Sequence, residues 1–579
     1  MIWWAKDPDR LKREVSEIDV LRDDSPWLAM AVPRFLKDLR FAFDFDVTLN
    51  GEIFPFTLEY PAFFPDAPPL VAPRDGRRLS DHQYGSGGEL CLEFRSDNWD
   101  PSITGTMMIA STYRLLSGEC SANDGRAIVP SAHAASLGQE LRGAFCRFLV
   151  TRGFVEYVAH VPIGQYRDAM VIDAKVPEDT WVAHVDLVGG SDAPDWRESS
   201  IPDRAEKGEP AVLLRVASLA ELPDNPDQAT LDRLLSTGRA NDLMPAGGSP
   251  ACRFTIIADA RSARMFFSYP QDGGWKVIPY RTVDLTDDID TRLPQNYERL
   301  ATKRVGIVGC GSLGSKVAAS LARSGVRDFV LVDDDILKPG NLVRHDLDAG
   351  CLGAHKANGL AARLKAIASG VKVSVRRVAL GGQESSGSTA SVLDDLAGCD
   401  LLIDVTADPQ AFNFVASVAR RALRPMVWTE VYAGGIGGFV ARLRPGIEPP
   451  PHAARDQYLA WCRNQRVAWH GRDRDYATLA DDERPLIADD GDVGVIAAHA
   501  SRVAIDVLVR PGDSIFPYPA YVIGLSGQWI FEEPFDTRPI TFNAAGDWQA
   551  EVSAERTTEA IEFMLSLFKQ GDHADRTGT

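Results

Sequence analysis

The 579-residue sequence predicts a multidomain chain of mixed α+β and α/β units. An N-terminal α+β unit is followed by a small mixed segment and a C-terminal α/β unit with a mainly parallel sheet. Three observations carry this expectation. The length corresponds to about three to five domains at roughly 100–200 residues each. Apolar spacing is helical near residue 11 and alternates with period two near residue 41. From Arg304 onward, short apolar runs alternate regularly with helical segments.

In the first unit, Leu11, Val15, Ile18 and Leu21 share one helical face among charges, so residues 1–31 read as a helix and its exit. Residues 41–47 alternate with period two, Asn50-Gly51 marks a tight turn, and Ile53, Phe54, Phe56 and Leu58 resume the pattern of a hairpin. Prolines 61, 65, 68 and 69 forbid continued sheet pairing. Residues 105–117 and 131–150 read as helices and close a domain over 1–155.

Residues 156–295 carry strand signals at 171–172, 182–185 and 212–216, with a hairpin over 255–259 and 265–269. The stretches 189–210 and 221–250 are rich in Asp, Pro, Gly and Ser and read as loops. They hold no catalytic pattern, and the segment is expected to connect or position its neighbours.

The C-terminal domain is assigned to 296–579. Residues 304–308 form a buried strand pattern, followed by Gly309-Cys310-Gly311-Ser312-Leu313-Gly314 and a helix through Val317, Leu321 and Ala322. The next strand, 329–332, ends in Asp333. This is a Rossmann-like unit with a right-handed crossover. Gly309, Gly311 and Gly314 let backbone N–H groups approach a phosphate at the helix N-terminus. Asp333 stands where such units hydrogen-bond a ribose hydroxyl. The alternation continues with helices over 354–368 and 409–423 and strands over 372–379, 400–405 and 426–431. A Gly-rich strand over 433–443, a Pro- and charge-rich stretch over 445–490 and a helix over 492–508 follow. Strands over 515–545 and an amphipathic helix over 555–569 complete the reading.

Composition excludes several classes. Lys plus Arg is 62 against 81 Asp plus Glu, a net charge of −19, which is wrong for neutralising nucleic-acid phosphates or an anionic membrane. No apolar run approaches the ~20 residues of a spanning helix. The N-terminal residues become charged at once, without a signal-peptide core, so a cytoplasmic protein is expected. The eight cysteines are too sparse for a disulfide scaffold and form no C-x-x-C pair for structural zinc.

After Asp333 come Asn341-Leu342-Val343-Arg344, then Lys356, then Asp404-Val405-Thr406-Ala407-Asp408. Over 303–443 this series resembles the ThiF-type adenylyltransferase domain shared by ubiquitin-activating enzymes and the bacterial activators of thiamine and molybdopterin sulfur carriers. The resemblance implies attack of a protein C-terminal carboxylate on the α-phosphate of ATP. Two anions must meet, so cations are required, and Arg344 and Lys356 are the expected ones. Asn341 would orient a phosphate or the attacking carboxylate, and Asp408 would hold Mg²⁺. Ser312 stands where the family often has a further glycine.

The N-terminal unit carries His82-Gln83-Tyr84 and Glu89-Leu90-Cys91-Leu92, with Trp99 and Pro101 downstream. This pattern resembles the ubiquitin-conjugating fold over 1–155 and implies that Cys91 accepts an acyl group as a thioester, which an amine then attacks. The family's His-Pro-Asn reads His82-Gln83-Tyr84 here, and the Tyr84 hydroxyl is the substitute for the missing Asn. The whole resembles the fused conjugating–activating proteins of bacterial antiphage operons. It implies a donor ending in Gly (a ubiquitin-like protein or a nucleotidyltransferase), a target amine, an associated metalloprotease and a homodimer through the adenylation domain. Neither nucleic acid nor membrane is an expected partner.

Cys462, with Arg463 and Arg466 nearby, stands where ubiquitin-activating relatives carry a nucleophile; the alternative is a thiol packed beside Trp461, and both readings stay open. Cys310 and Cys351 read as packing residues. Two competing functions remain: a sulfur-carrier-protein adenylyltransferase whose N-terminal domain only binds a partner, and an inert nucleotide-sensing scaffold. A nicotinamide oxidoreductase leaves Asn341 and Arg344 unexplained.

Overall fold

A computed structural model describes residues 2–77, 79, 82–84, 87–120, 137–176, 180–202, 207–236, 253–271, 274–286, 293–465, 478–479, 485–549 and 554–574. They fall into two compact units, 1–143 and 144–579.

After the one-turn helix Trp3–Lys6, the first unit forms helix Pro8–Asp24, whose start is fixed by Pro8 at its first position and by the Asp7 side chain accepting from the Arg10 N–H. Ile18 is buried, and Leu11, Val15 and Leu21 pack beside it on the core. Four antiparallel strands follow as a meander: Leu28–Phe35, Phe41–Leu49, Glu52–Glu59 and Leu70–Pro73. Asn50 and Gly51 both have positive φ, the requirement of a tight hairpin turn, and Leu49 pairs with Glu52. The edge strand Leu28–Phe35 was not expected; residues 32–35 are exposed, so no alternation betrays it. Helix Gly105–Cys120 packs Met108, Ile109 and Leu116 on the same core.

A buried polar knot ties this unit together. Glu14 is fully buried; its Oε1 pairs with Arg10 Nε at 2.8 Å. Its Oε2 accepts from the Tyr60 hydroxyl at 2.7 Å and from the Gly105 N–H at 2.6 Å. Arg10 also donates to the carbonyls of Pro101 and Ile103, at 2.5 and 2.6 Å. The segment after Trp99 is therefore stapled to the first helix.

Within 131–150, where a helix was expected, Leu137–Glu140 is one helical turn but Cys146–Thr151 is a strand; residues 131–136 lie outside the described part. Short apolar runs do not separate strand from helix by periodicity, and here distant pairing decides. Cys146–Thr151 lies parallel to both Gly274–Leu285 and Thr180–Gly189. Thr180–Gly189 also pairs with Tyr166–Val176, and Glu209–Arg215, Arg253–Ala258 and Ala263–Gln271 complete a sheet that closes on itself. Phe148, Val171, Val185, Leu213, Ile256 and Met265 fill it. The expected strands and the 255–269 hairpin are present. Pro194–Arg197 and helix Gln228–Ser236 lie in stretches read as loops.

The remaining sheet runs Lys372–Arg376, Asp328–Val332, Arg304–Val308, Leu401–Asp404, Met426–Val431, Gly437–Leu443, Ala520–Gly524, Thr537–Ile540. The first five strands are parallel and the last three antiparallel to their neighbours. Helices Ser312–Arg323, Lys356–Ile367 and Asp490–Val509 share one core; Ser386–Ala397, Pro409–Ala422 and Pro451–Asn464 share the other. The strand order reverses between Arg304–Val308 and Leu401–Asp404, the crevice where such sheets bind ligands. Helix Ala554–Ala574 ends the described chain, and no helix among the described residues is long and apolar enough to cross a membrane.

Candidate active site

The glycine loop occupies that reversal point. Gly309 has φ +94°, and its N–H donates to the Val332 carbonyl at 2.9 Å, which binds the loop to the neighbouring strand. Gly314 packs its Cα against the Gly309 backbone; an added Cβ would lie 3.0 Å from Gly309 C and 2.9 Å from Val405 Cγ2. A Cβ on Gly311 would meet nothing within 4 Å. Gly309 thus makes the turn, Gly314 seats the helix, and Gly311 leaves space at the N-terminus of Ser312–Arg323, where backbone N–H groups favour an anion.

Asp333 is held against this loop. Its Oδ2 accepts from the Cys310 N–H at 2.6 Å and its Oδ1 from the Asp335 N–H at 2.9 Å. Burial raises its pKa against those bonds. His345, not singled out in the sequence, braces the loop from the other side. Its Nδ1 accepts from the Leu347 N–H at 3.1 Å, which assigns the proton to Nε2, the donor to the Cys310 carbonyl at 2.8 Å. Burial holds the ring below its ordinary pKa.

Lys356 opens helix Lys356–Ile367 and pairs with Asp335 at 2.5 Å; its own N–H donates to the Asp335 carbonyl. Asp335 is a second residue the sequence reading passed over. Its side chain bonds hold its pKa low against a burial effect that pushes the other way. Arg344 donates to the Ala488 carbonyl at 3.3 Å. Asn341 uses its Oδ1 to cap a short turn, accepting from the Lys338 N–H at 2.8 Å. Asp408 caps helix Pro409–Ala422 through the Gln410 N–H at 2.9 Å, just beyond Ala407 at φ +54°. Asp404 is buried at the end of its strand, bonded to Thr406, and burial lifts its pKa to about 6. Glu430 on the next strand is likewise raised to about 7.

These residues fit ATP: an anion-binding helix start with open space, cations on two sides and a loop rigidified from both faces. Among the described residues no cluster of three metal-ligating side chains exists. Mg²⁺ needs only one or two carboxylates beside phosphate oxygens, and Asp408 is a carboxylate that could hold it.

Cys462 lies on helix Pro451–Asn464, 4% exposed, in the core with Tyr458 and Ala454. Burial lifts its pKa to about 11. This geometry favours the packing alternative, since the thiolate is the nucleophile. Arg466 lies outside the described residues. Cys310 is fully buried, in keeping with packing.

In the first unit, Leu90 and Leu92 are buried while Cys91 between them is half-buried, so the local alternation turns the thiol outward. The Cys91 N–H donates to the His82 carbonyl at 2.7 Å. Partial burial raises the thiol pKa, and Arg95 opposes the rise. Gln83 carries the loop before it: its Oε1 accepts from the Leu79 N–H, and its Nε2 donates to the Gly88 carbonyl at 2.8 Å. Asn98 secures the loop after it, donating to Glu93 O and accepting from the Arg95 N–H. Trp99 Nε1 donates to the Pro65 carbonyl at 2.7 Å. The Tyr84 side chain lies outside the described part.

Residues 287–458 match the ThiF family, a stretch that contains the glycine loop, Arg344, Lys356 and Asp408. Relatives refine the likeness. The ATP-dependent ubiquitin transferase-like protein Cap2 of Escherichia coli is 32% identical over 142 residues, 23% of each chain. Protein y4oA of Sinorhizobium fredii is 30% identical over 177 residues, 28% of this chain and 29% of that one. The SAMP-activating enzyme E1 of Haloferax volcanii is 30% identical over 140 residues, 24% of this chain and 49% of that enzyme. Escherichia coli MccB with ATP matches with TM-score 0.33 and 17% identity, over 43% of this chain and 67% of that one. The chain therefore spans less than half the length of each of these three relatives.

Proposed function

We propose that the chain adenylates the C-terminal Gly of a protein donor, receives the acyl group on Cys91 and transfers it to a target amine. What carries the reading is the glycine loop flanked by Lys356, Arg344 and Asp408 at the strand-order reversal. A donor carboxylate oxygen bonds to the α-phosphorus of ATP and pyrophosphate leaves. Lys356 and Arg344 offset the charge that gathers there. Mg²⁺, held through Asp408, would screen the departing phosphates. The Cys91 thiolate then attacks the acyl carbon, AMP leaves, and a thioester forms. An amine displaces the thiolate, loses a proton to solvent and yields an amide.

Buried Cys462 supports direct transfer from adenylate to Cys91, without a thiol intermediate on the adenylation domain. The donor is a ubiquitin-like protein or a nucleotidyltransferase, and the active form is a cytoplasmic homodimer through the adenylation domain. The His82-Gln83-Tyr84 stretch, which lacks the conjugating family's Asn, favours a second reading, a sulfur-carrier adenylyltransferase whose N-terminal unit only docks a partner.

ATP–pyrophosphate exchange with a Gly-ending donor tests the first step. Asp408→Ala should abolish exchange and Cys91→Ala should leave it intact. Wild type should also form an adduct on Cys91 that reducing thiols cleave. Exchange without any Cys91 adduct moves the protein to the sulfur-carrier reading.

A further inference from the structure

Lys316 was not part of the motif series. It sits one turn into helix Ser312–Arg323, directly behind the glycine loop. Helical side chains lean toward the N-terminus of their helix, so a lysine here reaches back toward the helix start at Ser312. Its ammonium is largely covered and pairs with Asp490 at 2.7 Å. Helix Ser312–Arg323 starts at the loop whose Cys310 carbonyl His345 bonds at 2.8 Å, so Lys316 stands one turn from the glycine loop.

Asp490 is the first residue of helix Asp490–Val509, yet it does not cap it. That role belongs to Asp489, which accepts from the Asp492 N–H while Asp492 returns the bond. Asp490 is 62% exposed, so the pair is of the weak, exchangeable kind. Two residues earlier, the Ala488 carbonyl accepts from Arg344. The segment 488–490 thus engages two cations beside the phosphate cradle.

We propose that Lys316 is a further phosphate-binding residue, and that Asp490 masks it until a nucleoside triphosphate displaces the carboxylate. The proposal rests on the glycine loop being the ATP site. ATP then competes with Asp490 for one ammonium group, and entry of nucleotide frees segment 488–490 from Lys316.

A plain interhelical staple and a masked ligand predict different signs, which makes the test decisive. ATP binding to the full-length chain is measured by titration calorimetry for wild type, Lys316→Met, Asp490→Asn and the double variant, with thermal melts alongside. Lys316→Met should weaken ATP about tenfold or more, the scale of one charged hydrogen bond. Asp490→Asn should tighten ATP roughly two- to fivefold, the worth of an exposed pair. That gain should vanish when Lys316 is already Met. Weaker or unchanged binding by Asp490→Asn overturns the proposal, as does an equal gain in the double variant or unchanged binding by Lys316→Met. If Lys316→Met fails to fold, the sign for Asp490→Asn alone decides. Failure of wild type to bind ATP would instead remove the nucleotide site itself.

Discussion

Gly311 and Gly314 lie three residues apart in one loop, and their replacement by Ala should separate binding from architecture. At Gly314 the new Cβ would sit 2.9 Å from Val405 Cγ2 and 3.0 Å from Gly309 C, and closer still to the Gly309 carbonyl oxygen. Carbon pairs rest at about 3.5–4.0 Å and the carbonyl-oxygen contact is tighter still, so helix and loop must part by more than about 1 Å. Overpacking of that kind costs about 1–3 kcal/mol. A displacement near 1 Å at a reacting centre lowers rate by about 10²-fold. At Gly311 the backbone has φ −73°, ordinary for Ala, and the space around it is open. Gly311→Ala should therefore melt like wild type while losing ATP affinity, because its methyl fills the room the phosphate needs. Thermal melts and pyrophosphate exchange on the two variants give both quantities. Wild-type stability and rate in Gly314→Ala would refute the close seating of helix on loop. Full activity in Gly311→Ala would refute the approach of phosphate at that glycine.

Two other predictions concern the first unit and the thiols. Glu14→Ala leaves the Arg10 guanidinium, the Tyr60 hydroxyl and the Gly105 N–H without their shared acceptor, so chemical denaturation should show a loss of about 3–5 kcal/mol; a loss below about 1 kcal/mol would dissolve the argument for the knot. Burial raises an acid's pKa, so thiolate at Cys91 appears only at higher pH, and alkylation followed by mass spectrometry should still be climbing above the midpoint of a free cysteine. Arg95→Ala should push that midpoint up further, while Cys462, at about 11 and buried, should label far more slowly. Equal labelling of the two cysteines at pH 8 would contradict the burial of Cys462.

What could be read from the sequence was local. The 50–51 turn, the glycine loop and the strand ending at Asp333 each depend on residues within a few positions, and each is where expected. The closed sheet of the middle segment depends on partners far apart: Cys146–Thr151 looked helical because its mates begin at residues 180 and 274. The site shows the same division. The motif residues were named from their order along the chain, but their hydrogen-bond partners in the fold were not. Asp335 meets Lys356 across 21 positions, His345 meets Cys310 across 35, and Asp490 reaches Lys316 from another helix. Gln83 was passed over because the reading looked to Tyr84 for the missing Asn, and among the described residues Gln83 bonds across the loop to Gly88.

The closure of the middle sheet sets a timetable for synthesis. Cys146–Thr151 cannot gain its Gly274–Leu285 partner until about 120 further residues have left the ribosome. At roughly 5–20 residues per second, that wait is on the order of ten seconds. The meander of residues 28–73 joins each strand to the one before it, so it needs no such delay. The Cys91 unit can therefore be complete while the first middle strand has gained at most its Thr180–Gly189 neighbour and its other edge is open to wrong partners. A nascent chain stalled near residue 200 would carry a finished N-terminal unit followed by a sticky, open half-sheet. Fragments for expression are best cut at 143, ahead of that strand.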